Sequence, residues 1–125
     1  MIGMVIVSHS EKIAQGVKDL AKQMAKDVRI VAAGGLSDGS IGTDMEKIMN
    51  GINEADEGDG VVIFMDLGSA VMTAEMAVDM CEKEVTMIDG PIVEGSIASA
   101  VVIQSGGGIN EIKKAVDECK TINKF

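Results

Sequence analysis

The chain holds one histidine, His9, set between Ser8 and Ser10. A neutral imidazole offers a ring nitrogen that can exchange a proton or attack phosphorus. It becomes a better nucleophile when a carboxylate holds its other nitrogen, fixing the tautomer and raising the basicity of the free one. Asp66 is the candidate for that partner, and it is followed by Leu67, Gly68 and Ser69. Attack on phosphorus would yield a phosphohistidine. Backbone N–H groups at helix starts after Ser8 and after Gly68 would hold the phosphate oxygens, aided by the helix dipoles. Each residue also has a plainer reading. His9 is otherwise a loop histidine, Asp66 an N-cap, Ser69 a cap of its own helix, and Asp89, before Gly90 and Pro91, a turn residue.

These side chains need elements that bring them together. Met4 to Val7, with Ile2 just before, is a short Val/Ile-rich run that ends in Ser8-His9-Ser10. That pattern predicts a strand buried on both faces. Ile13, Val17, Leu20, Ala21 and Met24 then fall at helical spacing, and Ser8 with Glu11 fits a capping box. Further strands are expected at Val28–Ala33, Val61–Met65 (the central one) and Val85–Ile88. A helix is expected behind Thr43 and Glu46, read as a second capping box, and others at Ala70–Lys83, Ile92–Gln104 and Asn110–Ile122. Gly106-Gly107-Gly108 separates the last two, since three glycines do not remain helical. Strict alternation of strand and helix predicts an α/β fold, a three-layer open sheet of about four parallel strands flanked by helices. The ends of the first, third and fourth strands then deliver His9, Asp66 with Ser69, and Asp89 to the carboxyl edge of the sheet, where such folds bind ligands.

Composition narrows the chemistry. A net charge of −9 argues against nucleic acid or an anionic membrane as partner and suits positively charged ones. The apolar start reads as a strand rather than a leader, and no run of about 20 apolar residues predicts a membrane span, so a cytoplasmic protein is expected. Cys81 and Cys119 have no CxxC spacing and read as reduced, buried thiols, and a structural zinc site is not expected. The ten methionines, including Met72, Met76 and Met80, read as core filler. The glycine-rich loop Gly34–Thr43 lacks the GKS/GKT of a P-loop and the order GxGxxG, and no GxSxG elbow marks a hydrolase.

Three motifs together, VSHS at Val7–Ser10, MDLGSA at Met65–Ala70 and GPIVEGSIASAV at Gly90–Val101, carry a resemblance that runs over nearly the whole chain. The chain resembles the IIA component of the mannose-type phosphotransferase system, most closely the branch serving PEP-dependent dihydroxyacetone kinases. Sugar-specific members usually read DLFGGSP where this chain reads Asp66-Leu67-Gly68-Ser69-Ala70, which favours that branch. The resemblance implies one phosphocarrier domain over 1–125, with His9 as phosphoryl acceptor and donor and Asp66 orienting it. Ser10, Gly68 and Ser69 would line the phosphate site, and no cofactor or metal is called for. It further implies phospho-HPr as donor, ADP bound in the companion subunit DhaL as acceptor, DhaK as the dihydroxyacetone-binding subunit, and a homodimer. Nε2 is expected to carry the phosphoryl group while Nδ1 faces Asp66. A sugar-permease IIA domain and a phosphorylation-dependent regulatory module are the competing functions.

Overall fold

In the computed structural model, which describes residues 1–125, four strands form one parallel sheet. They are β1 (Gly3–Ser8), β2 (Ile30–Gly34), β3 (Val61–Met65) and β4 (Val85–Met87), in the order β2-β1-β3-β4. Five helices connect or follow them: α1 (Glu11–Met24), α2 (Met45–Ala55), α3 (Gly68–Asp79), α4 (Ile92–Gln104) and α5 (Ile109–Thr121). This is the expected three-layer α/β architecture.

Strand side chains alternate between two cores. Met4, Ile6, Val62 and Phe64 face α1, α4 and α5, meeting Ala14, Val17, Ala21, Ala100, Ile103, Ile112 and Val116. Val5, Val7, Val61 and Ile63 face α2 and α3, meeting Ile48, Ile52, Ala55, Ala70, Ala74 and Ala77. Period-2 strands buried on both sides explain why the runs read as nearly continuous apolar stretches. The chain leaves β1 toward β2 on one side, and β3 lies on the other. The carboxyl ends of β1 and β3 therefore flank the point where strand order reverses, with Val7 registered against Met65.

Several details differ from the sequence reading. Helix α1 buries Ala14, Val17 and Ala21 but leaves Ile13, Leu20 and Met24 exposed. Helix α3 buries Ala70, Ala74 and Ala77 and turns Met72, Met76 and Met80 outward, so these methionines are not core. Alanine rows allow both helices to lie close to the sheet, and apolar periodicity alone does not say which of two adjacent rows faces inward. The caps also shift. Ser8 remains in the strand and Ser10 caps α1 through Ile13 N–H; Asp44, not Thr43, caps α2. Strand β2 begins at Ile30 rather than Val28, and α3 ends at Asp79 rather than near Lys83. Cys81 and Cys119 are free thiols but only half-buried. Gly106, at φ +90°, makes the turn between α4 and α5. No helix is long and apolar enough to cross a membrane.

Candidate phosphoryl-transfer site

His9 follows β1 directly, and Asp66 follows β3 directly. Adjacent parallel strands thus place the two residues side by side. His9 Nδ1 lies 2.9 Å from Asp66 Oδ1. Their side chains are 20% and 14% exposed, partly screened yet open to a ligand. The other carboxylate oxygen, Oδ2, accepts the Ser8 hydroxyl at 2.8 Å and the His9 backbone N–H at 3.0 Å. Leu67 N–H adds a further donor to the carboxylate through Oδ1, at 2.7 Å.

Partial burial works to raise the Asp66 pKa, but the bonds from His9 N–H, the His9 ring, Ser8 and Leu67 N–H outweigh it and hold the carboxyl below its usual range. A carboxylate that stays ionised accepts only, so the shared proton belongs on Nδ1. That leaves Nε2 as the acceptor, and the Ser69 hydroxyl donates to it at 2.5 Å. The Nε2 lone pair therefore points toward the start of α3.

Helix α3 opens with Leu67 as N-cap and has no side-chain cap. Its first-turn N–H groups, on Gly68 and Ser69, are available to an anion, and a Cβ on Gly68 would meet nothing within 4 Å. Helix α1 differs: Ser10 caps it, and the Ser10 N–H is itself taken by Ser8 Oγ at 3.0 Å. Of the two helix starts expected to hold phosphate, the one at Gly68 is the one without a side-chain cap. Ser10 sits beside His9 as a cap.

The structure thus brings together His9, Asp66, Gly68 and Ser69, with Ser10 adjacent. It does not bring in Asp89. That residue lines the same shallow cleft beyond β3 and β4, but its carboxylate is fully exposed and sits 3.7 Å from Lys120 Nζ. Asp66 is not the N-cap of α3; its carboxylate serves His9 instead.

Two supports escaped the sequence reading. Ser8 is completely buried and locks Asp66; the signal was a lone hydroxyl closing an apolar strand. The loop between β2 and α2 folds back onto the site, where Gly42 N–H donates to His9 C=O at 2.9 Å. Thr73 donates to the Ser69 carbonyl at 3.1 Å, so Thr43 is the donor in the 2.8 Å bond between the two threonine hydroxyls. Nothing in the local sequence pairs Thr43 with Thr73.

Residues 3–113 match the EIIA-man family model, described as the fructose IIA component of the phosphotransferase system. The phosphotransferase subunit DhaM of a PTS-dependent dihydroxyacetone kinase from Lactococcus lactis is 39% identical over 93% of this chain and 94% of its own length. A phosphoryl donor subunit DhaM of a PEP-dependent dihydroxyacetone kinase from Listeria innocua is 46% identical over 82% of each chain. The Escherichia coli DhaM is 37% identical, but the match takes up 25% of that longer protein. Among solved structures, a protein described as of unknown function superposes with a TM-score of 0.87 at 35% identity, covering 100% of this chain and 99% of that one. An EIIA component from Streptococcus agalactiae shares the fold, with a TM-score of 0.71 at 14% identity over 100% of this chain and 98% of that one.

Proposed function

Because the chain belongs to the EIIA-man family of phosphotransferase-system components, we propose that it is the phosphocarrier subunit of a PEP-dependent dihydroxyacetone kinase. It takes a phosphoryl group onto His9 from phospho-HPr and delivers it to ADP held in DhaL, while DhaK binds dihydroxyacetone. The relatives named DhaM support this assignment at 39% and 46% identity. Residues 1–125 act as one cytoplasmic phosphocarrier domain, and the working unit is a homodimer.

The observation that carries the reading is the split of the two imidazole nitrogens, Nδ1 on Asp66 and Nε2 facing the uncapped start of α3. The Nε2 lone pair attacks phosphorus as the bond to the donor's nitrogen breaks. The product is a phosphoimidazolium that keeps its Nδ1 proton, and the Asp66 carboxylate offsets the positive charge. On discharge, a terminal phosphate oxygen of ADP attacks phosphorus and the N–P bond breaks. Its electron pair returns to Nε2, so no proton needs to enter or leave. Ser69 turns its hydroxyl from Nε2 to a phosphoryl oxygen, and the N–H groups of Gly68 and Ser69 bind the others. Binding must stay moderate, because a carrier that holds its cargo too tightly cannot pass it on.

Protein partners have a surface to meet beside this site. Leu67 is exposed next to Asp66, and Ser69, Met72, Met76 and Met80 run along one open side of α3. That helix carries Glu75 and Asp79 and no Lys or Arg, which suits partners with an apolar patch and a basic rim.

Intact mass after incubation with PEP, enzyme I and HPr tests the assignment, with His9→Ala as control. A phosphate adduct on wild type only, discharged by DhaL–ADP, is expected. An adduct that persists with DhaL–ADP points to a sugar-permease IIA domain, and no adduct removes the carrier role.

A further inference from the structure

Helix α3 carries Ser69, so whatever holds that helix decides where the Ser69 hydroxyl stands. Its buried row is Ala70, Ala74 and Ala77, whose methyls form shallow ridges that interlock little with their neighbours. Hydrogen bonds tie α3 to other elements at two places one turn apart, Ser69 to His9 Nε2 and Thr73 to Thr43. The first of these must break when a phosphoryl group arrives. Nε2 and Ser69 Oγ lie 2.5 Å apart, and no phosphorus fits between them. The Thr43–Thr73 bond, at 2.8 Å, is then the one that keeps α3 in place.

Thr43 stands on a stiff base. The loop before it is hung on the end of β1 at two successive residues: Gly35 N–H donates to Ser8 C=O at 3.1 Å, and Gly42 N–H to His9 C=O at 2.9 Å. Lys47 Nζ donates to the carbonyls of Gly34 and Leu36, at 2.9 and 3.2 Å. Gly42 has φ +150°, and a Cβ on it would lie 2.9 Å from Leu36 Cδ2, so glycine suits that position. Immediately after it, the Thr43 hydroxyl donates to Thr73 Oγ1, and Thr73 donates on to the Ser69 carbonyl at 3.1 Å. Consecutive residues 42 and 43 thus grip the His9 backbone on one side and the turn bearing Ser69 on the other.

We propose that Thr43 is a positioning residue for phosphoryl transfer: through Thr73 it fixes the first turn of α3 against His9 and so sets the gap that the phosphoryl group enters. The inference rests on the phosphocarrier reading of His9 and adds to it a residue that touches neither the ring nor the phosphate. As the new N–P bond forms at Nε2 and the donor's N–P bond breaks, Ser69 rotates about χ1 to meet a phosphoryl oxygen. With α3 held, the N–H groups of Gly68 and Ser69 stay aimed at the incoming oxygens. Without the Thr43 bond the turn drifts, and donors preset for the transition state lose their aim.

Thr43→Val keeps the β-branched shape and removes the hydroxyl; Thr73→Val breaks the same bond from its other end. Far-UV circular dichroism verifies the fold of each. Rapid-quench transfer from phospho-HPr should slow about tenfold in both, with the Kd for HPr within a few-fold, and Thr43→Ser should recover the rate. Combined with Ser69→Ala, Thr43→Val should cost less than the product of the two single losses, because both act on one contact. Nitrogen-15 NMR of the unphosphorylated ring gives a second readout: Thr43→Val should move the Nε2 signal in the same direction as Ser69→Ala. A wild-type rate in both valine variants overturns the proposal. So do losses that multiply in full with Ser69→Ala, or an Nε2 signal that Ser69→Ala moves and Thr43→Val does not. A wild type that takes no phosphate sinks the carrier reading, and the Nε2 signals then decide the link from Thr43 to Ser69 by themselves.

Discussion

His9 Nδ1 and Asp66 Oδ1 lie 2.9 Å apart although 57 residues separate them along the chain. Two adjacent parallel strands, each ending one residue before one member of the pair, achieve this without any long loop. The pair is aimed by the sheet. The removal of either member should therefore change chemistry far more than fold.

His9→Ala is expected to abolish the phosphate adduct while shifting stability by less than about 1 kcal/mol, as for most partly exposed positions away from the core. Asp66 keeps its bonds from Ser8, His9 N–H and Leu67 N–H in that variant. Intact mass and a urea midpoint measured together check both halves. An unfolded variant would mean that the ring contributes to packing in a way its exposure does not suggest.

Asp66→Asn preserves shape but removes the charge that offsets the phosphoimidazolium. Phosphoryl transfer should slow by roughly 10²-fold, the range seen when a group that orients a histidine is lost. Rapid-quench kinetics against phospho-HPr would read the rate. The Kd for HPr, from calorimetry, should stay within a few-fold. Equal damage to rate and affinity would place Asp66 in the docking surface instead.

The depressed Asp66 pKa makes stability depend on acid. The carboxyl is more easily ionised folded than unfolded, so its contribution is fully present above the unfolded value of about 4 and is lost as pH falls through the lower folded value. Wild type should lose more stability between pH 5 and pH 2 than Asp66→Asn, in urea unfolding followed by circular dichroism. Parallel losses in the two proteins would show that other carboxylates account for the acid lability.

Much of this was legible in the residues. The strand Val61–Met65 and the helix Ile92–Gln104 appear with the expected bounds, because strong apolar runs stop abruptly at polar or glycine residues. His9 and Asp66 were legible for a related reason: a polar residue just past a buried parallel strand emerges at one edge. The misassigned rows on α1 and α3 mark the limit. Met72, Met76 and Met80 keep a helical period as regular as that of Ala70, Ala74 and Ala77, and only the distance of the helix from the sheet decides which row is buried. Ser8 was read as a cap because Ser-x-x-Glu fits that motif locally, whereas its bond to Asp66 spans 58 residues. Thr43 and Thr73 meet through a loop and a helix that share no sequence signal.

Ser69→Ala removes the hydroxyl that faces Nε2 but leaves the N–H groups of α3 in place. The adduct should still form, with the transfer rate lowered about tenfold, below the 10²–10³ lost with a fully committed oxyanion donor. Phosphorus NMR should still report phosphate on Nε2. A phosphate on Nδ1 would reverse the roles assigned to the two nitrogens and with them the role of Asp66.

Gly34 closes β2 directly beneath the start of α1. A Cβ there would lie 2.6 Å from Ser10 O, 2.7 Å from Ala14 Cβ and 3.0 Å from Glu11 Cα, so it meets backbone and a buried methyl, with no flexible side chain free to yield. The strand cannot retreat easily, because Ser8 is registered against Gly34 and Gly35 N–H donates to Ser8 O at 3.1 Å. The strain must pass into the first turn of α1, which follows His9 immediately. Gly34→Ala should therefore destabilise by about 1–3 kcal/mol, as overpacked cores do, and should also slow His9 phosphorylation although residue 34 touches neither the ring nor Asp66. Gly16→Ala, in the open, should instead raise stability by up to about 1 kcal/mol. Urea unfolding of both variants, with phosphorylation rates measured alongside, checks the pair. A Gly34→Ala protein of wild-type stability and rate would mean that α1 can shift away from the sheet without moving His9.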